Sequence, residues 1–254
     1  MRQVLWQKMR REEIALSAVD QPTLLQPIGA IEQHGPHLPI DTDSHAVFAV
    51  CQRAAELADA PPMIVLPPIW WGLSPYWLTY PGTITLRPET ILALFADIGA
   101  SVAAHGFHRM IIVNGHGGNA GIVAVAATQM AYHGIRAAAV NWWSVIGADL
   151  GQITPGDGGH IGHAGQTETS VQLALQPDHV KHDAIIDARC ADLVGMRKQP
   201  FEGIGYAPPL PRLEAPNCVY GDAPSSTADL GEQELSLAAD RLAAYVSRFA
   251  SEGT

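Results

Sequence analysis

Four short apolar runs constrain this chain more than any other feature of its sequence. Leu24–Ile31, Met63–Leu66, Met110–Val113 and Ala137–Val140 are each bounded by Pro, Gly or Asn, the pattern of strands buried on both faces. Longer, Ala-rich stretches separate them: Ser44–Ala58, Glu89–His105 behind Pro88, and Ala120–His133, which stops at Gly134 as helices often do. Leu230–Phe249 reads as a closing amphipathic helix. Alternation of this kind predicts an α/β chain with a mostly parallel sheet covered by helices. Its functional residues should gather where strands end and loops begin. Residues 144–167 are Gly-rich and are expected to form a loop over such a site.

A chain of 254 residues, 47% of them hydrophobic, can bury the core of one α/β domain, taken here as residues 1–254. It has no repeat and no linker. No stretch approaches the roughly 20 apolar residues of a membrane span, and the segment from Met1 to Glu13 lacks the apolar centre of a signal peptide. The expectation is a soluble, cytoplasmic protein that does not engage a membrane. Cys51, Cys190 and Cys218 are widely spaced and odd in number, which fits neither a disulfide framework nor a CxxC metal site. A net charge of −10 opposes nucleic acid as a partner, since phosphate backbones are bound by clustered Lys and Arg. A small molecule is the expected partner.

Three segments carry chemistry. Glu32-Gln33-His34-Gly35-Pro36-His37-Leu38-Pro39-Ile40-Asp41-Thr42-Asp43 packs acids and histidines just beyond the first run. In extended chain Glu32 and His34 point the same way, and the Gly-Pro turn lets Asp43 return to them, where its carboxylate can bridge two ions. Asn114-Gly115-His116-Gly117-Gly118-Asn119 follows the third run and exposes one imidazole at a strand end. His160-Ile161-Gly162-His163-Ala164-Gly165-Gln166-Thr167-Glu168-Thr169-Ser170 joins histidines to an acid through glycines and then enters a helix. Each segment has a plainer reading: a solvated loop, a structural turn, or an acid favouring the first turn of a helix. Their clustering favours a cation site. A phosphate loop would need GxGxxG or a following Lys-Ser/Thr, a serine hydrolase a GxSxG elbow, and a structural zinc site CxxC pairs; none is present.

Taken together, the three segments resemble the creatininase family, or creatinine amidohydrolases. That family's pattern is approximately E-x-H-G-P-H-L-P-x-x-x-D, then N-G-H-x-x-N, then H-x-G-x-x-E-T-S. Tyr80-Pro81-Gly82-Thr83 and Gly221-Asp222 match further family segments. The resemblance implies a three-layer αβα sandwich and hydrolysis of a non-peptide C–N bond, often in a homohexamer. It implies two divalent ions, Zn²⁺ or Mn²⁺, with Fe²⁺ a third option. One ion would take Glu32, His116 and Asp43, and the other His34, the shared Asp43 and one further acid. In creatininase itself a glutamate in the N-G-H segment supplies that last ligand; this chain has Gly118 there, as other branches do, and Glu168 is the expected substitute. Gly162 replaces another glutamate. Trp143 matches one of two pocket tryptophans and Gly159 the other. His37 joins Trp143 as a substrate-contact candidate, and Trp70, Trp71, Tyr76 and Trp77 could line a subsite, pack in the core or form a subunit interface.

The expected reaction is attack of a metal-bridged hydroxide on the carbon of a small cyclic amide or formamide, with Asp43 and His163 as catalytic residues and His163 passing a proton to the leaving nitrogen. His163 has a second reading, as an outer partner of a carboxylate ligand. Two alternatives stand beside this reaction. One is hydrolysis of a cyclic ketone or lactone at the same dinuclear site. The other is a ligand-binding family member without catalysis, favoured by Gly118 and Gly162.

Overall fold

The computed structural model describes residues 3–57, 62–154, 161–185 and 217–252. The elements in order are α1 (Arg11–Val19), β1 (Thr23–Ile28), α2 (Thr42–Leu57), β2 (Met63–Val65), α3 (Pro88–Ala104), β3 (Arg109–Asn114), α4 (Ala120–Gln129), β4 (Arg136–Asn141), α5 (Leu150–Ile153), α6 (Gln166–Leu175) and α7 (Ala228–Ser251). The four apolar runs become four strands of one sheet in the order β2-β1-β3-β4, every pair parallel. No described helix is long and apolar enough to cross a membrane.

Alternate strand residues feed opposite layers. Leu25, Ile111 and Val113 pack with Val47 and Val50 of α2 and with Leu235 and Leu242 of α7. Leu24, Ile28, Met110 and Ile112 pack with Ile91 and Phe95 of α3 and Val123 of α4. The result is a three-layer αβα sandwich, and strands buried on both sides are largely apolar. The buried polar Gln26 of β1 donates to Pro67 O.

Several expectations need correction. The first run leaves the sheet at Ile28, and Gly29–Ile31 already belong to the loop that carries Glu32. Helix α1 was not anticipated, because its apolar residues do not form one stripe and none of them is buried. The stretch 144–167 is not all loop: it contains the end of a 3₁₀ turn, Trp142–Ile146, then α5, and α6 begins at Gln166. Gly159, His160 and Cys190 lie outside the described residues, while Cys51 and Cys218 are buried thiols.

Side-chain amides and hydroxyls tie the loops to the strand ends. Asn119 accepts a hydrogen bond from Leu73 N–H at 2.8 Å and donates one to Gly29 O at 2.9 Å. Ser44 donates to Ala30 O and to Trp70 O. Asn119 thereby joins the exits of β1 and β3 to the segment after β2. Replacing it with alanine leaves an N–H and a C=O without partners, so Asn119→Ala should lower stability by about 1–3 kcal/mol in urea denaturation. A loss under about 0.5 kcal/mol, the size of an ordinary surface substitution, would show that this clasp is not needed.

Candidate metal centre

From β1 the chain goes on to β2 at one edge of the sheet, and from β3 to β4 at the other. The exits of β1 and β3 therefore flank the crevice where open parallel sheets bind ligands. Glu32 lies just beyond β1 and His116 just beyond β3. Asn114 fixes the second exit: its Oδ1 accepts from His116 N–H at 3.0 Å, and its Nδ2 donates to His116 O at 2.7 Å and to Asn141 Oδ1 at 2.9 Å. Asp43 sits in the first turn of α2 and Glu168 in the first turn of α6, where helix N-termini favour negative charge. The Tyr80–Thr83 segment braces the first motif. Thr83 Oγ1 accepts from Gln33 N–H, and Ile84 N–H donates to Ile31 O.

These elements bring Glu32, His34, Asp43, His116, His163 and Glu168 into one cluster. His34 Nε2 stands 3.1 Å from Asp43 Oδ1 and 3.6 Å from Glu168 Oε2. His116 Nδ1 is 2.9 Å from Asp43 Oδ2, and its Nε2 is 3.4 Å from Glu32 Oε2. Asp43 thus turns one oxygen toward each of two histidines. Among the described residues, three triads have potential ligand atoms within 4.8 Å of one another: Glu32, Asp43 and His116; His34, Asp43 and Glu168; and Glu32, His34 and His163. The first two share Asp43. Gln166 points elsewhere and donates to Ser225 O.

His163 is held as a flat plate between His34 and Trp77, with ring centroids 4.3 and 4.6 Å away. Its Nδ1 faces Glu32 Oε1 at 3.5 Å. Its backbone pairs with Tyr220 in both directions. A Cβ at Gly162 would come within 1.6 Å of Tyr220 O, so this pairing admits only glycine beside His163. His37 is placed differently from the expectation. It is buried, with Nε2 2.8 Å from Thr169 Oγ1, and does not line the cavity over the cluster, whereas Trp143 does. That cavity has a volume of about 290 Å³, and Tyr76, Trp77, Trp143, Ile161 and Tyr220 form its apolar wall. Tyr220 went unnoticed in the sequence, although it directly precedes the Gly221-Asp222 match.

The electrostatics are those of acids gathered out of water. Burial raises Glu32 and Glu168 to about 7 against the pull of the neighbouring histidines. Burial also opposes the charge on Asp43, yet His34 and His116 hold its carboxyl far below the usual range. The same burial works against protonating the histidines. The carboxylates outweigh it, lifting His34 to about 10 through Asp43 and Glu168, and His116 to about 9 through Glu32 and Asp43. His163, buried and next to the His34 charge, is pushed well below its ordinary value and stays neutral.

A cation suits this donor set. Among the described residues, Glu32 Oε1 and Oε2 and Asp43 Oδ2 are buried without a hydrogen bond of ordinary geometry, and such oxygens incur a desolvation cost that coordination removes. His34 Nδ1 lies 3.1 Å from Glu32 O, so a proton donated there leaves the Nε2 lone pair facing the two acids. Carboxylate with imidazole is a donor set for Zn²⁺ or Mn²⁺.

Residues 7–246 match the creatininase family, described as creatinine amidohydrolase. The chain belongs to that family. It is 34% identical over 215 residues to a mycofactocin precursor peptide peptidase of Mycolicibacterium smegmatis, covering 84% of this chain and 79% of that protein. It is 32% identical over 193 residues to a creatinine amidohydrolase of Pseudomonas putida, covering 70% and 73%. A solved creatininase with Mn superposes with a TM-score of 0.80 at 25% identity, covering 98% of this chain and 99% of that one. The fold expected from the resemblance is therefore observed, and the creatininase-family relatives are hydrolases.

The raised histidines make cation uptake a proton-releasing event. Near neutral pH, His34 and His116 carry protons in the metal-free cluster, and each has to lose one to offer a lone pair. Calorimetric Zn²⁺ titration in buffers of differing ionisation enthalpy should show at least about one proton released per chain. No release would mean that the histidines do not ligate.

Proposed function

We propose that this protein hydrolyses the C–N bond of a small cyclic amide or formamide at a site holding two divalent cations. Glu32, Asp43 and His116 hold one cation; His34, Asp43 and Glu168 hold the other. The observation that carries this reading is the pair of triads sharing Asp43, one oxygen toward each side. Zn²⁺ or Mn²⁺ fits equally, and the catalytic unit spans the chain as one domain. Exposed Trp70, Trp71, Leu78 and Ile84 support assembly of several copies, because a soluble chain gains by covering apolar surface of this kind.

When bound, the cations supply Lewis acidity, polarising a carbonyl and lowering the pKa of water. The residues do the rest. The Trp77, Trp143 and Tyr220 walls exclude bulk water and orient a flat substrate edge-on to the cluster. Asp43 fixes the separation of the two halves of the site. His163 is the proton carrier: it is neutral, and its Nδ1 faces the cluster. Its Nε2 lies 2.9 Å from Gln33 O and 2.7 Å from the Gln33 amide nitrogen, an acceptor and a donor that together satisfy either tautomer. The ring can take a proton at Nδ1 and deliver it to a leaving nitrogen without turning.

A second reading, cleavage of a peptide bond, is favoured by the 34% identity to a precursor peptide peptidase. The same residues would act, and the choice lies in what the cavity admits. Incubating the metal-loaded protein with cyclic amides, formamides and short peptides separates the two. Released amine or formate from the first two classes supports the proposal; turnover of peptides alone overturns it in favour of the second reading. Creatinine should be a poor substrate, with turnover below about 1 per second, since neither Gly118 nor Gly162 leaves room for an acid. Turnover in the ordinary enzyme range would show that the pocket accepts creatinine without those acids.

Metal content tests the ligand sets. Glu168→Gln should lower bound Zn²⁺ from about two ions to about one per chain, and Asp43→Asn should remove at least one and cut turnover about 100-fold or more. Full occupancy in both variants would refute the shared-bridge arrangement.

A further inference from the structure

Gln26 is an exception within its layer of the sheet. On the α3 side of β1 its neighbours Leu24 and Ile28 are apolar and packed, whereas Gln26 sets a primary amide between them at 1% exposure. The amide nitrogen lies 3.0 Å from Pro27 O and 3.0 Å from Pro67 O. Two carbonyls on one side place the NH₂ group there and use both of its protons, which leaves the amide oxygen on the other side. That oxygen accepts no hydrogen bond among the described residues, and it is not sealed within protein. Tethering β1 to Pro67 requires the nitrogen alone and gives the oxygen nothing to do.

Gln26 lines a second cavity, of about 400 Å³, which lies in the size range of small-molecule sites. Its described lining residues include none of those around the cavity over the metal centre. Trp6, Leu66 and Val102 form apolar sides. Asp97, Ser101 and His105 follow one another at intervals of four along α3 and its C-terminal cap, on one face of the helix, and make a polar rim. Ser101 Oγ donates its proton to Asp97 O at 2.7 Å and so has only lone pairs to offer a ligand. Asp97 makes no ion pair among the described residues, and no described Lys or Arg lines the cavity. Arg11 belongs to a neighbouring hollow beyond Trp6 and is paired with Glu12. Apart from the His105 imidazole, the polar groups are therefore acceptors: an amide oxygen, a hydroxyl oxygen and a carboxylate.

We propose that this cavity is a second binding site, for a small organic cation: an amidinium or primary ammonium group on a flat apolar body. Its N–H donors bond to Gln26 Oε1 and to the Asp97 carboxylate, and its body lies against Trp6 and Val102. The buried amide oxygen supplies direction, since a donor that fails to reach it leaves a desolvated acceptor unmatched. Asp97 supplies the charge that favours a cation over a neutral donor of the same shape. Because the site is separate from the metal centre, its test is independent of the hydrolase reading.

The probe is benzamidine, titrated calorimetrically into the full-length Zn²⁺-loaded protein, with benzamide and benzoate as neutral and anionic counterparts on the same ring. Benzamidine should bind once per chain, about tenfold or more tighter than benzamide, and benzoate should not bind. Asp97→Asn, at an exposed position, should weaken benzamidine about tenfold, the loss of a hydrogen bond to a charged group. Gln26→Leu removes the acceptor at similar volume and should weaken it by a similar factor. That variant also cuts the tether to Pro67 O, so Asp97→Asn decides the matter if it does not fold. Glu168→Gln should leave benzamidine affinity unchanged. A benzamidine Kd weaker than about 10 mM, equal affinities for benzamidine and benzamide, or unchanged affinity in Asp97→Asn or in folded Gln26→Leu overturns the proposal. Weakened binding in Glu168→Gln also overturns it, because the cation would then sit over the metal centre.

Discussion

Three carboxylates share a space that water scarcely reaches, and that repulsion organises the rest of the site. Glu32, Asp43 and Glu168 cannot all be ionised and close together in a low-dielectric pocket without positive charge among them. In the chain alone the charge comes from protons on His34 and His116, and the raised or lowered pKa values of all five groups express one balance. A divalent ion carries twice the charge of a proton into the same place. The fold's task is to keep the acids from moving apart. It does so by rooting them in one strand exit and two helix N-termini, where main-chain hydrogen bonds fix the backbone before any side chain is considered.

Much of this was legible in the sequence, for physical reasons that differ from part to part. The strands could be read because burial on both faces favours apolar runs: Met110–Val113 is uninterrupted, and Leu24–Ile28 is broken only by Gln26. Helix α1 could not, since a helix whose apolar residues stay partly exposed imposes no stripe. The acids and histidines stood out because three separate segments each set such residues at or near an element's end, which favours a cation site over solvated loops. Glu168, the expected substitute for the ligand missing at Gly118, faces His34 from the first turn of α6. His37 lies in the same motif as His34, yet backbone geometry turns it onto Thr169, and spacing alone carries no sign of that turn. The aromatic wall was visible as composition, but its contacts with His116 and His163 depend on how residues 72–86 fold back over the sheet.

Kinship narrows the chemistry without choosing the bond. The two curated relatives described above bear names for two different reactions, one on a peptide and one on creatinine, although both match this chain over most of its length. What an amide in a ring, a formamide and a peptide link have in common is a planar C–N unit with a polarisable oxygen. In the proposed reading, a cluster that presents acids and imidazoles around one point suits that unit. Discrimination among the three classes falls to the walls.

Those walls and the cluster beneath them come from separate stretches of chain. Ligand candidates arise at the exits of β1 and β3 and at the starts of α2 and α6, whereas Tyr76 and Trp77 of the aromatic wall lie on a segment tied to those exits by Asn119, Thr83 and Ser44, and Trp143 and Tyr220 come from two other stretches. A chain built in this way is divisible by evolution. Substitutions between Trp70 and Tyr80 can reshape the chamber while the charged floor stays in register, and an altered floor would be punished whatever chamber stood above it. Divergence of substrate is therefore cheap and divergence of chemistry is expensive, a lopsided inheritance that lets one scaffold serve several small-molecule and peptide reactions.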